Sequence, residues 1–317
     1  MRLGKDLFDA TGKDVFLIQS AKGGSCLNPC ADGDWRVPSN RLDRGTLFGS
    51  ANYRAQVSAG TAPNAPAPAE GGAVTGIVWY QGESEQSNVS GFIADTNAVM
   101  DAFKSELNNP PIIYAQIARR LIAPEETNDL KNVNYQNIRE KQRVMETQYG
   151  DTPTRRNAFY MVVTHDLPMI EHNHLSAEGQ KTLGDRIALA YQEHVLGTGV
   201  DGTGPRLAPG GVTLSGNIVK VVTTQSVNAS SSYENYFNVS VGGGSYSGVG
   251  GNISSITRDP SNDKAILITL NSTSSPVYVR YMPPAFKPTS YPTPQLQNVV
   301  KNSKGLPLPA FGPFKLK

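Results

Sequence analysis

The sequence predicts an α/β chain: a doubly wound, three-layer domain over residues 1–197, a linker over 198–205, and a small all-β, sandwich-like domain over 206–317. Three observations carry this reading. Short apolar runs recur at residues 14–18, 74–80, 111–117 and 158–164, continuous rather than alternating, as in parallel strands covered on both faces. Between them lie helical patterns. Ser90 is placed to cap a helix whose Ile93, Val99, Met100, Phe103 and Leu107 share a face before Asn108, Asn109 and Pro110 stop it. Residues 129–149 form a second, polar helix, and a third opens at Ser176, repeats Leu183, Ile187, Tyr191 and Val195 at steps of four, and stops at Gly197. The third observation is a change of composition after Gly197. Beyond it only short strands are expected, at 218–223, 236–241, 265–270 and 277–281, separated by Gly, Ser, Asn and Pro turns. The last stretch, 283–317, holds eight prolines and is expected to run extended over the surface, anchored by Phe286, Tyr291, Phe311 and Phe314.

With 317 residues the chain is long enough for about two cores. Lys and Arg number 29 against 27 Asp and Glu, and no block of like charge stands out, which argues against a nucleic-acid binder. No run approaches the roughly 18 apolar residues of a membrane span, and residues 1–6 do not read as a secretory leader. The expected setting is extracellular, or the surface of a cell or virion. Cys26 and Cys30 read equally well as a small disulfide loop or as two thiols. Neither they nor the histidines supply the four ligands of a zinc site, and no metal or organic cofactor is expected.

Chemistry concentrates at three strand ends, where open α/β sheets form their ligand crevice. Glu171-His172-Asn173-His174 opens the third helix, and Glu171 at three residues before His174 can reach the imidazole Nδ1, leaving Nε2 as a general base. His172 and His165 read as surface or supporting residues. At Trp79-Tyr80-Gln81-Gly82-Glu83, Gly82 allows a sharp turn and Gln81 can offer an amide N–H to a developing oxyanion, with Trp79 and Glu83 set against substrate. Gly23-Gly24 after the first apolar run offers backbone N–H groups; the Walker and Gly-x-Gly-x-x-Gly patterns are absent. Taken singly, each segment reads equally as an ordinary turn or a packed helix start.

Together the segments are more specific. Val78-Trp79-Tyr80-Gln81-Gly82-Glu83-Ser84-Glu85, Ala21-Lys22-Gly23-Gly24-Ser25 and Glu171-x-x-His174-Leu175-Ser176-Ala177-Glu178-Gly179-Gln180 resemble blocks of the sialate O-acetylesterase-like carbohydrate esterases, in the SGNH (GDSL) hydrolase superfamily with its flavodoxin-like fold. The resemblance runs over residues 1–195, and the closing segment around Val279-Arg280-Tyr281 and Gly305-Leu306-Pro307 resembles the same esterases. It implies removal of acetyl groups from O-acetylated sugars by a serine nucleophile, with His174 as base, Glu171 as its acid, and Gly23, Gly24 and Gln81 around the oxyanion. The family's acid is usually Asp. Glu171 departs from that, and Asp166 is the fallback.

The nucleophile is the larger departure. The family's Gly-Gln-Ser-Asn block is absent, and Ser20, at a strand end in Ile18-Gln19-Ser20-Ala21, is a weak substitute. Residues 1–7 resemble the helix that follows that block, so the chain reads as starting after the family's first strand. Three expectations follow: a fragment, a second polypeptide supplying strand and serine, or a catalytically silent carbohydrate-binding or virion structural protein on the same fold.

Overall fold

A computed structural model describes residues 2–65, 72–122, 129–150, 159–228, 236–282, 285–286 and 292–316. The elements in order are α1 (Arg2–Thr11), α2 (Leu47–Ala59), β1 (Ile77–Trp79), α3 (Phe92–Glu106), β2 (Ile112–Gln116), β3 (Arg120–Leu121), α4 (Asp129–Gly150), β4 (Phe159–Val163) and α5 (Ala177–His194). Among the described residues only strands follow: β5 (Leu207–Ser215), β6 (Ile218–Thr223), β7 (Phe237–Val241), β8 (Ile253–Arg258), β9 (Ala265–Leu270), β10 (Val277–Tyr281), β11 (Ala285–Phe286) and β12 (Phe311–Lys315). The architecture is therefore α/β followed by antiparallel sheet. Among the described residues no helix is long and apolar enough to cross a membrane.

Two compact units are interleaved along the chain. The first takes Met1–Ala115, Val144–Val162 and Gly184–Val200; the second takes Gln116–Arg143, Val163–Leu183 and Asp201–Lys317.

In the first unit the strands lie in the order β1-β2-β4, with Ile77 opposite Ile112 and Trp79 opposite Tyr114 in a parallel pair. Every residue of β2 is buried, which explains its unbroken apolar run. Thr46 caps α2 by accepting from the Gly49 N–H, and Gly60 closes it in the left-handed conformation. Phe48 of α2 and Phe103 of α3 meet at 4.4 Å, and Trp35 joins Phe103 to Trp79 of β1. On α5, Gly184 lets α1 approach so closely that a Cβ there would lie 3.2 Å from Leu3 N, and Arg2 pairs with Asp185.

Two expectations fail in this unit. Residues 14–18 form no strand, and Phe16, Leu17 and Ile18 are 75%, 51% and 37% exposed. An apolar run becomes a buried strand only with a ladder partner and cover on both faces, and this run has no strand partner among the described residues. It lines a shallow groove of about 390 Å³ with Tyr53, Arg54 and Val57 of α2. Ser90 does not cap α3: Gly91 holds the cap position, and Asn88 and Asn28 donate instead to Asp95 in the first turn.

The second unit contains a sandwich. Sheet β5-β6-β9-β8 and sheet β12-β10-β7, both antiparallel, share one core in which Val219, Val221, Ile266 and Ile268 of the first meet Phe237, Val239, Val277, Val279 and Phe311 of the second. The alternation in β10 (Val277, Val279 and Tyr281 buried) is that of a sheet with one solvated face. β5 and β8 had no forecast, because Gly210 and Gly211 interrupt one and Ser254–Ser255 the other. At residues 299–300 and 306–312 the proline-rich end is buried rather than on the surface. Leu308 and Phe311 are fully buried, and Pro313 is tolerated because β12 is an edge strand. Tyr291 and the side chain of Phe286 lie outside the described residues.

Candidate active site

The first unit carries the glycine loop and the turn after β1. Gly24 has φ +72°, and a Cβ on it would stand 2.7 Å from Asp32 Oδ2, so the loop needs glycine there. Gly23 faces open space. Cys26 and Cys30 are joined by a disulfide, which resolves their two readings and closes the loop just after Gly24. Ser25 Oγ donates to Lys22 O at 2.7 Å and accepts from Trp35 Nε1 at 2.9 Å. Gly82, at φ +145°, makes the predicted sharp turn. Ser84 Oγ then donates to Gly24 O at 3.3 Å, so the glycine loop and the turn after β1 meet.

Beneath them lies a residue that motif reading passed over. Glu85 is 1% exposed, and its Oε1 accepts from the Leu27 N–H at 2.7 Å and from Gln81 Nε2 at 2.6 Å. Burial raises its pKa; the two N–H donors pull it back and nearby Asp95 adds to the rise. Gln81 is buried, with one amide proton committed to Glu85. Trp79 stands edge-on to Trp35 at 5.1 Å, and its Nε1 is buried. The carbonyl of Glu83 accepts from Gln86 Nε2. Ser20 is half-buried at the end of the unladdered apolar run.

The second unit carries the histidine loop. His174 Nδ1 and Glu171 Oε1 are 2.7 Å apart, both side chains exposed, and His174 Nε2 has no hydrogen-bond partner among the described residues. Backbone contacts shape this loop: Ile170 N–H donates to His174 O, Ser176 N–H donates to Pro168 O, and Ser176 Oγ accepts from Gly179 N–H at the start of α5. A Cβ at Gly179 would come within 2.4 Å of Pro168 O, so the helix can sit this close only through glycine. Leu121 N–H donates to His172 O at 2.6 Å, and His172 Nδ1 lies 3.2 Å from Leu121 O.

Asp166 is buried and accepts from Gln295 Nε2 at 3.0 Å, whereas Glu171 contacts His174. Of the two readings for His165, surface or supporting, burial excludes the first: it is fully buried with Nε2 2.7 Å from Leu308 O. Arg119, 1% exposed, is a second residue that motif reading missed. It donates to His165 O, Leu167 O, Thr293 Oγ1 and Pro294 O at 2.7–3.2 Å, and burial lowers its pKa to about 10. The base of the histidine loop is thereby tied to residues 293–294. An Arg119-Arg120 pair between two apolar stretches gives no sequence signal for such a role.

A histidine–carboxylate pair of this geometry can act as a base. Among solved structures, the chain resembles a carbohydrate acetylesterase from Xanthomonas citri, with TM-score 0.68 and 17% identity over 98% of this chain and 63% of that one. This chain thus spans less than two thirds of that protein, and the likeness shows the fold. Two structures of the S-layer protein SbsC align at TM-scores of 0.23 and 0.22, with 12% and 11% identity over 74% and 63% of this chain and 28% and 26% of theirs, too distant to carry an argument. No curated protein matches. Residues 1–193 match the family model described as carbohydrate esterase, sialic acid-specific acetylesterase, and the chain belongs to that family.

Proposed function

We propose that the chain hydrolyses acetyl esters of O-acetylated carbohydrate by serine-type acyl transfer. The observation that carries this is the 2.7 Å contact of His174 Nδ1 with Glu171 Oε1 in a member of the acetylesterase family. A carboxylate on Nδ1 fixes the tautomer that presents a basic Nε2. In the proposed reaction His174 Nε2 takes the proton of a serine hydroxyl as its oxygen bonds the acetyl carbonyl carbon. The carbonyl electrons move to oxygen, where N–H groups of the Gly23–Gly24 loop and Gln81 meet the charge. Collapse breaks the bond to the sugar oxygen, which receives the proton from His174. Water, activated by the same base, then releases acetate and restores the serine.

The serine has three candidate sources: Ser20, a segment of the same polypeptide ahead of these residues, and a strand supplied by a second polypeptide. Acetate release by S20A at the wild-type rate would exclude Ser20; loss of release in folded S20A would point to it. The second reading is a silent carbohydrate-binding or virion structural protein on the same fold. Acetate release from acetylated sugars and from p-nitrophenyl acetate decides between them. Saturable binding of an acetylated sugar without acetate release from a folded chain would establish the silent reading.

A further inference from the structure

We propose that Glu85 is a positioning residue, fixing the Gln81 amide and the glycine loop relative to each other where the oxyanion would form; this rests on the acetylesterase reading. A buried carboxylate is costly, and an apolar side chain of similar size would fill the same space without that cost. What the carboxylate adds is an acceptor. A single oxygen, Oε1, takes one N–H from each of two loops that follow different apolar runs: Leu27 N–H at 2.7 Å and Gln81 Nε2 at 2.6 Å. Both contacts are buried, where hydrogen bonds to a charged acceptor are at their strongest. Because an amide is planar, holding one N–H of Gln81 sets the direction of the other. The same oxygen fixes the chain three residues after Gly24, and Ser84 Oγ closes the arrangement on Gly24 O. The disulfide and the Ser25–Trp35 contact hold the far side of the loop, so Glu85, together with Ser84, links two pieces that are each braced on their own.

The test is a double-mutant cycle with a spectroscopic readout. E85A is expected to lower kcat on p-nitrophenyl acetate by about 10- to 100-fold with KM within about twofold, since removing one oxyanion donor outright costs on the order of 10²–10³. E85Q, whose side-chain carbonyl can accept both N–H groups, is expected to recover most of kcat. In a Q81A background, E85A is expected to cost clearly less than in wild type, because the route through Gln81 is gone and only the one through the glycine loop remains. The Gln81 side-chain amide resonances in ¹⁵N-labelled protein, assigned by their loss in Q81A, should show two distinct protons in wild type and E85Q and exchange-broadened ones in E85A. Multiplicative losses in the double mutant, or Gln81 resonances unchanged by both E85A and E85Q, would overturn the proposal. A folded wild type without turnover would instead remove the acetylesterase reading, and the Gln81 resonances would still decide whether Glu85 positions the amide.

Discussion

The loop cluster around Glu85 and the pair His174–Glu171 are held in opposite ways. Glu85 and Gln81 are buried, and their geometry comes from side-chain hydrogen bonds out of reach of water. The side chains of His174 and Glu171 are 68% and 57% exposed, and their geometry comes from backbone contacts that shape the loop beneath them. An exposed ion pair adds only about 0–1 kcal/mol to stability, whereas leaving a buried donor unsatisfied costs about 1–3 kcal/mol. The first region should therefore couple activity to stability. The second should separate them.

The sharpest break of this comparison is H174A. It is expected to lower acetate release by about 10³-fold or more while the unfolding midpoint stays near that of wild type. A large fall in stability with H174A would contradict the separation. Next comes G24A, which forces a Cβ into the left-handed region beside Asp32. A cost of about 1–2 kcal/mol in urea unfolding, with a loss of activity of about tenfold or more, would show the coupling expected of the first region. E171Q should come third, lowering kcat by about tenfold with no measurable change in stability, since it keeps a hydrogen bond to Nδ1 and removes the charge.

The smallest effect is one of pH. Burial raises the Glu85 pKa in the folded state, so the folded chain binds this proton at higher pH than the unfolded chain does. Stability from this group therefore falls as pH rises from the ordinary glutamate range through the raised folded value, and is flat above it. E85Q cannot titrate, so its stability relative to wild type should increase across that window; urea titrations at several pH values would reveal an unchanged difference if the carboxylate were in fact solvated.

What was legible in the sequence was local. The apolar runs at β1, β2 and β4, the stop of α5 at Gly197 with φ +62°, and the three-residue step from Glu171 to His174 depend on neighbours in the chain, and the structure follows them. What failed depended on partners far away. Residues 14–18 have the composition of a strand, but a strand also needs a neighbour to pair with, and Phe16 is left 75% exposed. The proline-rich end reads as a surface segment because of its prolines; Phe311 is legible there as an anchor, whereas the burial of Leu308 in the same sandwich core is not. Glu85 and Arg119 went unrecognised for the same reason. The donors and acceptors that define them lie 58 residues away at Leu27 and 46 to 175 residues away at His165, Leu167, Thr293 and Pro294.

The central claim, acetyl-ester hydrolysis with His174 as base, is tested most directly by acetate release from an O-acetylated monosaccharide by the 317-residue chain and by H174A under the same conditions. The account predicts turnover by wild type and a rate at least about 10³-fold lower for the variant. Equal rates for two folded proteins, whether both active or both at the uncatalysed level, would contradict it.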